Sequence, residues 1–273
     1  RRNGPERMKP VLLITGAAHG LGRALALGAA RDYKLALLDR ERVAGEQLAD
    51  ALRRDGAEVL FVHADVAVEA DWRHALERVQ RRWERLDILI NNAGLAAMGP
   101  FEGQTPATWE QLWHTNLMGA VHGCRTALTM MKRQGDGHLI NVAALAGITA
   151  PPGMAAYVAC NAALIRFSEA LAAELDGLNI GVSVVCPDLF SSDMSRRMPN
   201  ADPLSRARLQ RAMDDAPESA AEVADTILQQ MGKRPLYLFP QPEARRDWRR
   251  KRWRPERFVA RMAKLGSSLR RYR

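Results

Sequence analysis

The chain has 273 residues, of which 47% are hydrophobic, and this is enough to fill the core of one large α/β domain or two small ones. Its three widely spaced cysteines (124, 160 and 186) and its six histidines show neither a disulfide framework nor metal-ligand spacing, so we expect no metal site and a reducing, cytoplasmic location. No apolar run approaches the ~18 residues that cross a bilayer, and no apolar signal segment follows the charged N-terminus.

The positive charge is concentrated at one end of the chain. The formal net charge is +9, and residues 243–273 contain 13 Lys and Arg against 3 Asp and Glu, so this segment alone carries +10. The rest of the chain is therefore close to neutral. Because the high isoelectric point comes from one segment, we expect no nucleic-acid partner.

The first predicted element is a buried strand at residues 11–15, which runs into a glycine-rich turn and then a helix at 23–31. Glycines at 16, 20 and 22 allow a phosphate to approach the backbone, and the helix N-terminus behind them supplies free N–H groups and the positive end of a dipole. This order of elements predicts a dinucleotide site, although a plain tight turn between strand and helix remains an alternative.

The second strand, at residues 34–38, ends at Asp39 and Arg40. An acidic residue at this distance from the glycine turn accepts hydrogen bonds from a ribose 2′-hydroxyl and repels a 2′-phosphate. The guanidinium of Arg40 could instead accommodate that phosphate. We therefore favour NAD and leave NADP open. Asp39 also suits the N-cap of the next helix, and the two roles are compatible.

Strands and helices alternate along the rest of the chain. Further helices are predicted at 41–54, 69–83, 106–131, 154–175 and 218–231, and further strands at 58–63, 86–90, 138–142, 181–186 and 236–239. This alternation predicts an α/β fold with a doubly wound parallel sheet, helices on both faces, and ligands at the carboxyl ends of the strands. Residues 191–217 are polar and contain prolines, so we expect an irregular substrate lid there.

Tyr157 stands on a predicted helix beside the end of the fifth strand, where a phenol can pass a proton to a substrate oxygen. A free phenol titrates near ~10, so it needs a cation one helical turn on and a hydroxyl on the facing loop. The chain has Asn161 and Ala144 at those places. Asn116, close to a glycine inside a predicted helix, is expected to bend that helix or to hold a water.

Together these motifs resemble the short-chain dehydrogenase/reductase family over about residues 9–240. The marks are the turn at 15–22 (TGAAHGLG), Asp65 after the third strand, the run at 91–94 (NNAG), Asn116, and Tyr157 on its helix. The resemblance implies a Rossmann-type sheet of seven parallel strands, and a homodimer or homotetramer that pairs through the two long helices. It also implies that a nicotinamide nucleotide contacts Gly16, His19, Gly20, Leu21, Gly22, Asp39, Arg40, Asp65, Val66, Asn92, Ala93, Gly94, Tyr157, Asn161, Pro187 and Ser192.

The family's chemistry moves a hydride between nicotinamide and a hydroxyl or carbonyl carbon, and usually employs Asn, Ser, Tyr and Lys. Asn116 and Tyr157 match, but Ala144 occupies the serine position and Asn161 the lysine position. A lysine about 5 Å from the phenol would favour the phenolate by roughly 3 kcal/mol, or about two pK units. A missing hydroxyl donor typically costs ~10²–10³ in rate.

Three interpretations follow. The chain is an atypical dehydrogenase, with Tyr157 as donor and with substrate groups or water replacing the lost helpers. Alternatively, it is a catalytically silent relative that binds nucleotide and supports a partner subunit or senses the cofactor ratio. An engineered inactive chain ranks last, because asparagine is an unusual replacement for lysine. An apolar rim predicts a small apolar alcohol or ketone, or a protein interface: Leu95, Ala96, Met98, Phe101, Met154, Leu189 and Phe190.

We divide the chain into an N-terminal extension at 1–8, the Rossmann-type domain at 9–242, and a basic tail at 243–273. Pro255 can begin a helix in this tail. Apolar residues recur after it at helical spacing, at Phe258, Met262, Leu265 and Leu269, and Val259 widens the stripe.

Two roles for the basic tail remain open. The apolar stripe packs on the body or on another subunit, which we favour. Alternatively, the tail lies on an anionic membrane surface, which would make the protein peripheral at the inner face of the membrane. In that case Trp248 and Trp253 would sit among the headgroups.

Overall fold

The computed structural model describes residues 9–270, and the side chains of residues 9–266. The predicted N-terminal extension at 1–8 and the Leu269 side chain of the tail stripe lie outside the described part. No helix within the described residues is both long and apolar enough to cross a membrane.

Seven parallel strands form the centre of the fold, as predicted. They are β1 (Val11–Thr15), β2 (Lys34–Asp39), β3 (Val59–His63), β4 (Ile88–Asn91), β5 (Gly137–Val142), β6 (Ile180–Val185) and β7 (Tyr237–Leu238). Their order in the sheet is β3-β2-β1-β4-β5-β6-β7. The direction of the connections reverses between β1 and β4, so a crevice opens at the carboxyl ends of these two strands.

The helices cover both faces of the sheet. They are α1 (Gly20–Ala29), α2 (Arg42–Arg54), α3 (Glu69–Trp83), α4 (Pro106–Leu112), α5 (Gly119–Gln134), α6 (Ala146–Thr149), α7 (Ala155–Glu174), α8 (Pro203–Asp214), α9 (Ala220–Met231), α10 (Pro242–Trp253) and α11 (Pro255–Arg270). Alternate residues of β1 enter the two cores, with Leu13 packed on one face and Leu12 and Ile14 on the other. A strand buried on both faces has to be apolar throughout, which explains the run VLLI.

The long helix predicted over residues 106–131 is present as a continuous helical run from Pro106 to Gln134, in which a π-helical turn at Trp113–Met118 lies between α4 and α5. The expected local defect is present, and Asn116 lies inside this turn. Such turns insert an extra residue into a helix and often occur at functional sites.

The prediction that residues 191–217 are irregular is wrong, because most of this segment is helical. Residues 191–217 contain a 3₁₀ turn at Met194–Arg197 and the helix α8. Asp202 caps α8 by accepting a hydrogen bond from the Ser205 main-chain nitrogen, 2.9 Å away, and Pro203 occupies the first turn. An aspartate followed by a proline is a helix start signal that the sequence prediction overlooked.

The basic tail forms two helices, of which the sequence predicted only α11, beginning at Pro255 as expected. Helix α10 is held to the body by Trp248, whose ring centroid lies 5.3 Å from that of Tyr237 and 5.7 Å from that of Phe239. The apolar stripe of α11 is packed only in part. Phe258 is buried and Met262 is half-buried, whereas Leu265 is 54% exposed.

Candidate active site

A cavity of about 330 Å³ opens at the carboxyl ends of the strands, where the crevice was predicted. It brings together the predicted catalytic pair, Asn116 and Tyr157. It also contains most of the residues predicted to contact the nucleotide: Gly16, His19, Gly20, Leu21, Asn92, Ala93, Gly94, Tyr157, Asn161, Pro187 and Ser192. Ala144 lines it as well. Gly22, Asp39, Arg40, Asp65 and Val66 do not line this cavity.

The glycine turn is tight enough to exclude any larger residue. Gly16 has a φ of +62°, and a methyl group built on it would lie 2.9 Å from the Ala93 Cα. A methyl group on Gly22 would lie 2.1 Å from the main-chain oxygen of Gly16, so Gly22 serves the close packing of α1 on the turn. No side chain caps the N-terminus of α1, and its first turn has no acidic residue. These N–H groups are therefore suited to an external anion.

Asn92 and Ala93 fasten the end of β4 to the end of β1. Their main-chain nitrogens donate to the Thr15 hydroxyl at 3.0 Å each, and the Asn92 amide donates to the Thr15 carbonyl at 2.9 Å. These bonds fix the floor of the crevice. The polar run after β4 thus shapes the site through the backbone.

Asp39 is buried at the end of β2, and both of its carboxylate oxygens accept backbone hydrogen bonds. One bond comes from Ala18 in the glycine turn at 2.8 Å, and the other comes from Glu41 at 2.9 Å. The carboxylate therefore ties the turn to the start of α2, while the neighbouring Arg40 is exposed. Asp65 similarly accepts a hydrogen bond from the main-chain nitrogen of Ala67 at 2.9 Å.

Asn116 is buried in the π-helical turn and pairs with a single residue of the loop after β4. Its Oδ1 accepts from the Leu95 nitrogen at 2.9 Å, and its Nδ2 donates to the Leu95 oxygen at 2.8 Å. Both groups of the amide are therefore engaged within the protein. In this state Asn116 positions the loop that forms one wall of the cavity.

Tyr157 projects from the first turn of α7 into the cavity. Burial raises the pKa of its phenol to about 12, and a hydrogen bond from the Asn161 side chain only partly opposes this shift. Asn161 is itself buried, and its Nδ2 donates to the main-chain oxygen of Tyr157 at 2.8 Å. Near neutral pH the phenol therefore keeps its proton.

The loop after β5 offers no hydroxyl at the serine position, because Ala144 stands there. Thr149 lines the cavity from α6, but its hydroxyl donates to the Leu145 carbonyl at 3.2 Å. Ser192 also lines the cavity, and its hydroxyl lies 3.7 Å from the Met213 sulfur. Each of these hydroxyls thus has a partner within the protein.

Asp188 follows Pro187 at the cavity wall. Burial raises the pKa of the Asp188 carboxyl, against the hydrogen bond that it accepts from the Leu189 nitrogen, and the nearby charges of Asp247 and Glu243 raise it further. The site therefore holds a carboxylate between the end of β6 and the tail helix α10.

The cavity wall is mostly apolar, but it differs from the predicted rim. Ala96, Met98, Met154, Leu189 and Phe190 line it as expected. The inclusion of Leu95 and Phe101 was wrong, since Leu95 is buried beneath the wall and Phe101 is 68% exposed against Trp109. The prediction missed the contributions of the α6–α7 loop and the lid: Pro151, Pro152, Met194, Arg197, Leu209 and Met213.

Comparison with known proteins agrees with the motifs and the fold described above. The family model for short chain dehydrogenase matches residues 10–203. The CLA biosynthesis dehydrogenase/reductase of Lactiplantibacillus plantarum is 33% identical, covering 85% of this chain and 88% of its own. The cyclopentanol dehydrogenase of Comamonas testosteroni is 30% identical, covering 80% and 88%.

Solved structures agree with these matches. A short chain dehydrogenase/reductase from Burkholderia phymatum, determined in complex with NAD, superposes with a TM-score of 0.85 at 28% identity. The superposition covers 91% of this chain and 94% of that one.

Proposed function

Because the chain belongs to the short-chain dehydrogenase family, we propose that it is a nicotinamide-dependent oxidoreductase with an atypical active site, acting on apolar hydroxyl or carbonyl compounds. The observation that carries this proposal is the Tyr157 phenol, which faces an apolar cavity next to an uncapped glycine turn. A proton donor and an anion-binding helix end in one crevice are what such a reaction requires.

The residues of the crevice fit a dinucleotide. Gly16 and Gly20 line the crevice without side chains, and the uncapped end of α1 would attract the charge of a diphosphate there. We favour NAD, because the Asp39 carboxylate lies at the end of β2 and would repel a 2′-phosphate. The NAD complex of the Burkholderia phymatum relative supports the same choice. The exposed Arg40 keeps NADP as the alternative.

The nicotinamide ring, when bound, supplies or accepts the hydride. Tyr157 would hold its proton on the phenol oxygen and hand it to a carbonyl oxygen of the substrate as negative charge develops there. No protein hydroxyl at position 144 shares that charge, so a water or a polar group of the substrate would have to assist. Asn161 carries no charge, so it would not lower the pKa of the phenol as an ammonium group does.

The substrate we propose is a small apolar ketone or secondary alcohol. The wall around Tyr157 is built from methionine, alanine, proline and phenylalanine side chains of the β4 loop, the α6–α7 loop and the lid. Such a surface binds by apolar burial and offers few directional contacts. Discrimination between substrates would then follow size and shape.

A catalytically silent, nucleotide-binding protein is the second candidate. It is favoured by the replacement of lysine with Asn161, whose amide is committed to a backbone carbonyl. Among the described residues that line the cavity, the side chains capable of positive charge are His19 and Arg197. A protein of this kind would keep the nucleotide and act on a partner subunit or report the cofactor ratio.

Titration of the purified chain with NADH and NADPH by calorimetry separates these candidates when the same samples are then assayed with a panel of ketones. We expect binding in the micromolar range and slow ketone reduction that disappears in Tyr157→Phe. Binding with no turnover would favour the silent interpretation. Turnover that survives this substitution would show that another group donates the proton. An absence of binding would overturn both.

We further propose that the chain forms a homodimer or homotetramer through α5 and α7. Helix α7 carries alanine, valine, leucine and isoleucine around most of its circumference, yet many of these side chains are only partly buried within one chain. A helix that is apolar on all sides needs cover on all sides. Light scattering after size-exclusion chromatography would give the mass in solution, and a monomer would contradict the proposal.

We also propose that the tail contacts an anionic membrane surface. Trp253 is 82% exposed, and it stands in a groove with five arginines: Arg249, Arg250, Arg254, Arg257 and Arg261. An exposed tryptophan surrounded by positive charge suits the headgroup region of an anionic bilayer. The other end of α11 approaches the cavity, since a methyl group on Gly266 would lie 3.3 Å from Pro152.

Co-sedimentation with vesicles tests the tail. We expect binding to vesicles that contain phosphatidylglycerol, little binding to pure phosphatidylcholine, and release at high salt. Trp253→Ala should weaken the binding. Indifference to lipid charge or to salt would contradict an electrostatic attachment.

A further inference from the structure

A cluster of three polar side chains joins the lid to the glycine turn. Asp193, at the start of the lid, accepts a hydrogen bond from the Arg197 guanidinium at 2.8 Å, and the same carboxylate oxygen lies 3.8 Å from the His19 Nδ1. His19 precedes α1 and belongs to the turn. All three residues line the cavity.

The carboxylate of Asp193 lies close to the uncapped end of α1. A methyl group built on Gly20, the first residue of that helix, would be 3.7 Å from the Asp193 Oδ1. The arginine bond outweighs burial and holds the pKa of Asp193 below its usual range, so the group is charged. The acidic side chain near this helix end therefore comes from the lid, since the first turn of α1 supplies none.

We propose that Asp193 competes with a dinucleotide phosphate for the end of α1, and that Arg197 is a ligand of the cofactor phosphate which exchanges Asp193 for the incoming diphosphate. This inference rests on the proposed nucleotide binding. It adds two lid residues to the proposed phosphate site of the glycine turn: Arg197, which binds the phosphate, and Asp193, which competes with it.

Electrostatics requires the exchange. A diphosphate at the end of α1 and the Asp193 carboxylate would both be negative, and in a partly enclosed site such groups repel each other. Arg197 is suited to bind either anion, because its planar guanidinium matches carboxylate and phosphate geometry equally well. It lies one turn from Asp193 on a short 3₁₀ element, so a small movement of the lid would release one anion and accept the other.

The test measures the affinity of the full chain for ADP-ribose, which carries the diphosphate, and for adenosine, which does not. The variants are Asp193→Asn, which removes the competing charge while keeping the shape, and Arg197→Gln, which removes the ligand. Arg196→Gln is the matched control, because it removes the same charge from the neighbouring position, where the side chain is exposed and does not line the cavity.

We expect Asp193→Asn to bind ADP-ribose about tenfold more tightly, and Arg197→Gln to bind it about tenfold more weakly. Arg196→Gln should match the parent, and adenosine affinity should stay constant throughout. Equal effects of the two arginine substitutions, or weaker binding by Asp193→Asn, would overturn the inference.

Two further measurements allow each outcome to be interpreted. If Asp193→Asn or Arg197→Gln disturbs the lid, Arg197→Lys is the milder variant, because it keeps the charge but loses the paired N–H donors of the guanidinium. Its affinity for ADP-ribose should lie between those of the parent and Arg197→Gln. If the parent chain does not bind ADP-ribose, the proposed nucleotide binding itself fails. If the parent binds but the variants do not differ, only the lid exchange fails.

Discussion

The Asn161 side chain donates its hydrogen bond to the main-chain oxygen of Tyr157, 2.8 Å away, within the first turns of α7. An amide held in this way supplies no charge to the phenol. Burial therefore dominates, and the pKa of Tyr157 is raised to about 12. The protonation state of the proton donor is therefore set by burial, which no neighbouring charge on Asn161 offsets.

Asn161→Lys is expected to lower the pKa of Tyr157 by about two units, because an ammonium group about 5 Å from the phenol stabilises the phenolate. The ultraviolet absorbance of the phenolate, followed against pH, measures this pKa. The chain has 4 tyrosines, so the titration of Tyr157→Phe has to be subtracted. An unchanged difference titration would mean that the lysine points away from the phenol.

Restoring a hydroxyl at position 144 tests the second substituted position of the active site. If the chain is active, Ala144→Ser is expected to raise ketone reduction by up to about 10²-fold, since it adds one donor to the developing oxyanion. We expect the double variant with Asn161→Lys to differ from the product of the single effects, because such groups act together. Simple multiplication of the two effects would argue that they work independently.

The direction of the reaction should depend strongly on pH. Reduction needs the protonated phenol, which predominates at every pH below about 12, so its rate should vary little with pH on this account. Alcohol oxidation needs the phenolate, so its rate should rise about tenfold for each pH unit up to the limit of protein stability. Initial rates in both directions, measured against pH, check this expectation. Oxidation that levels off near neutrality would show that the pKa of Tyr157 falls in the ternary complex.

Much of the site could be predicted from the sequence because its residues follow strand ends. The carboxyl ends of parallel strands meet at one edge, so Gly16, Asn92 and Pro187 had to lie near one another once the strands were recognised. The substitution at Asn161 could be read from its spacing to Tyr157. The hydrogen-bond partner of the Asn161 amide could not be predicted and is known only from the structure.

The lid could not be predicted in the same way. The contact between His19 and Asp193 joins two distant parts of the chain, and neither local pattern nor charge spacing indicates it. Helix α10 was missed because its many arginines obscure its few apolar contacts, such as those of Trp248 with Tyr237 and Phe239. Tertiary packing, rather than helix periodicity, determines both features.

Gly22→Ala is expected to destabilise the fold by about 3 kcal/mol or more, because the new methyl group would lie 2.1 Å from the main-chain oxygen of Gly16. The Gly16 backbone on one side and the hydrogen-bonded Asn92 amide on the other leave the new methyl group little space. The matched control is Gly232→Ala. A methyl group on Gly232 would meet no other part of the protein within 4 Å, and the φ of this residue is −62°. Thermal melting should show a lower Tm for Gly22→Ala and nearly no change for the control. Similar melting of the two variants would contradict the close packing of α1.

Trp248→Ala and Trp253→Ala should separate the attachment of the tail to the body from its proposed binding to a membrane. Trp248 is half-buried in an aromatic group that attaches α10 to the body, so its loss is expected to cost about 2 kcal/mol and to lower Tm by several degrees. Trp253 is 82% exposed, so its removal should leave Tm unchanged and reduce only the binding to anionic vesicles. Thermal melting and vesicle co-sedimentation, run on both variants, provide the comparison. If Trp253→Ala lowered Tm as much as Trp248→Ala, that side chain would be packed against protein in solution, and an interface with another subunit would replace the membrane as its role.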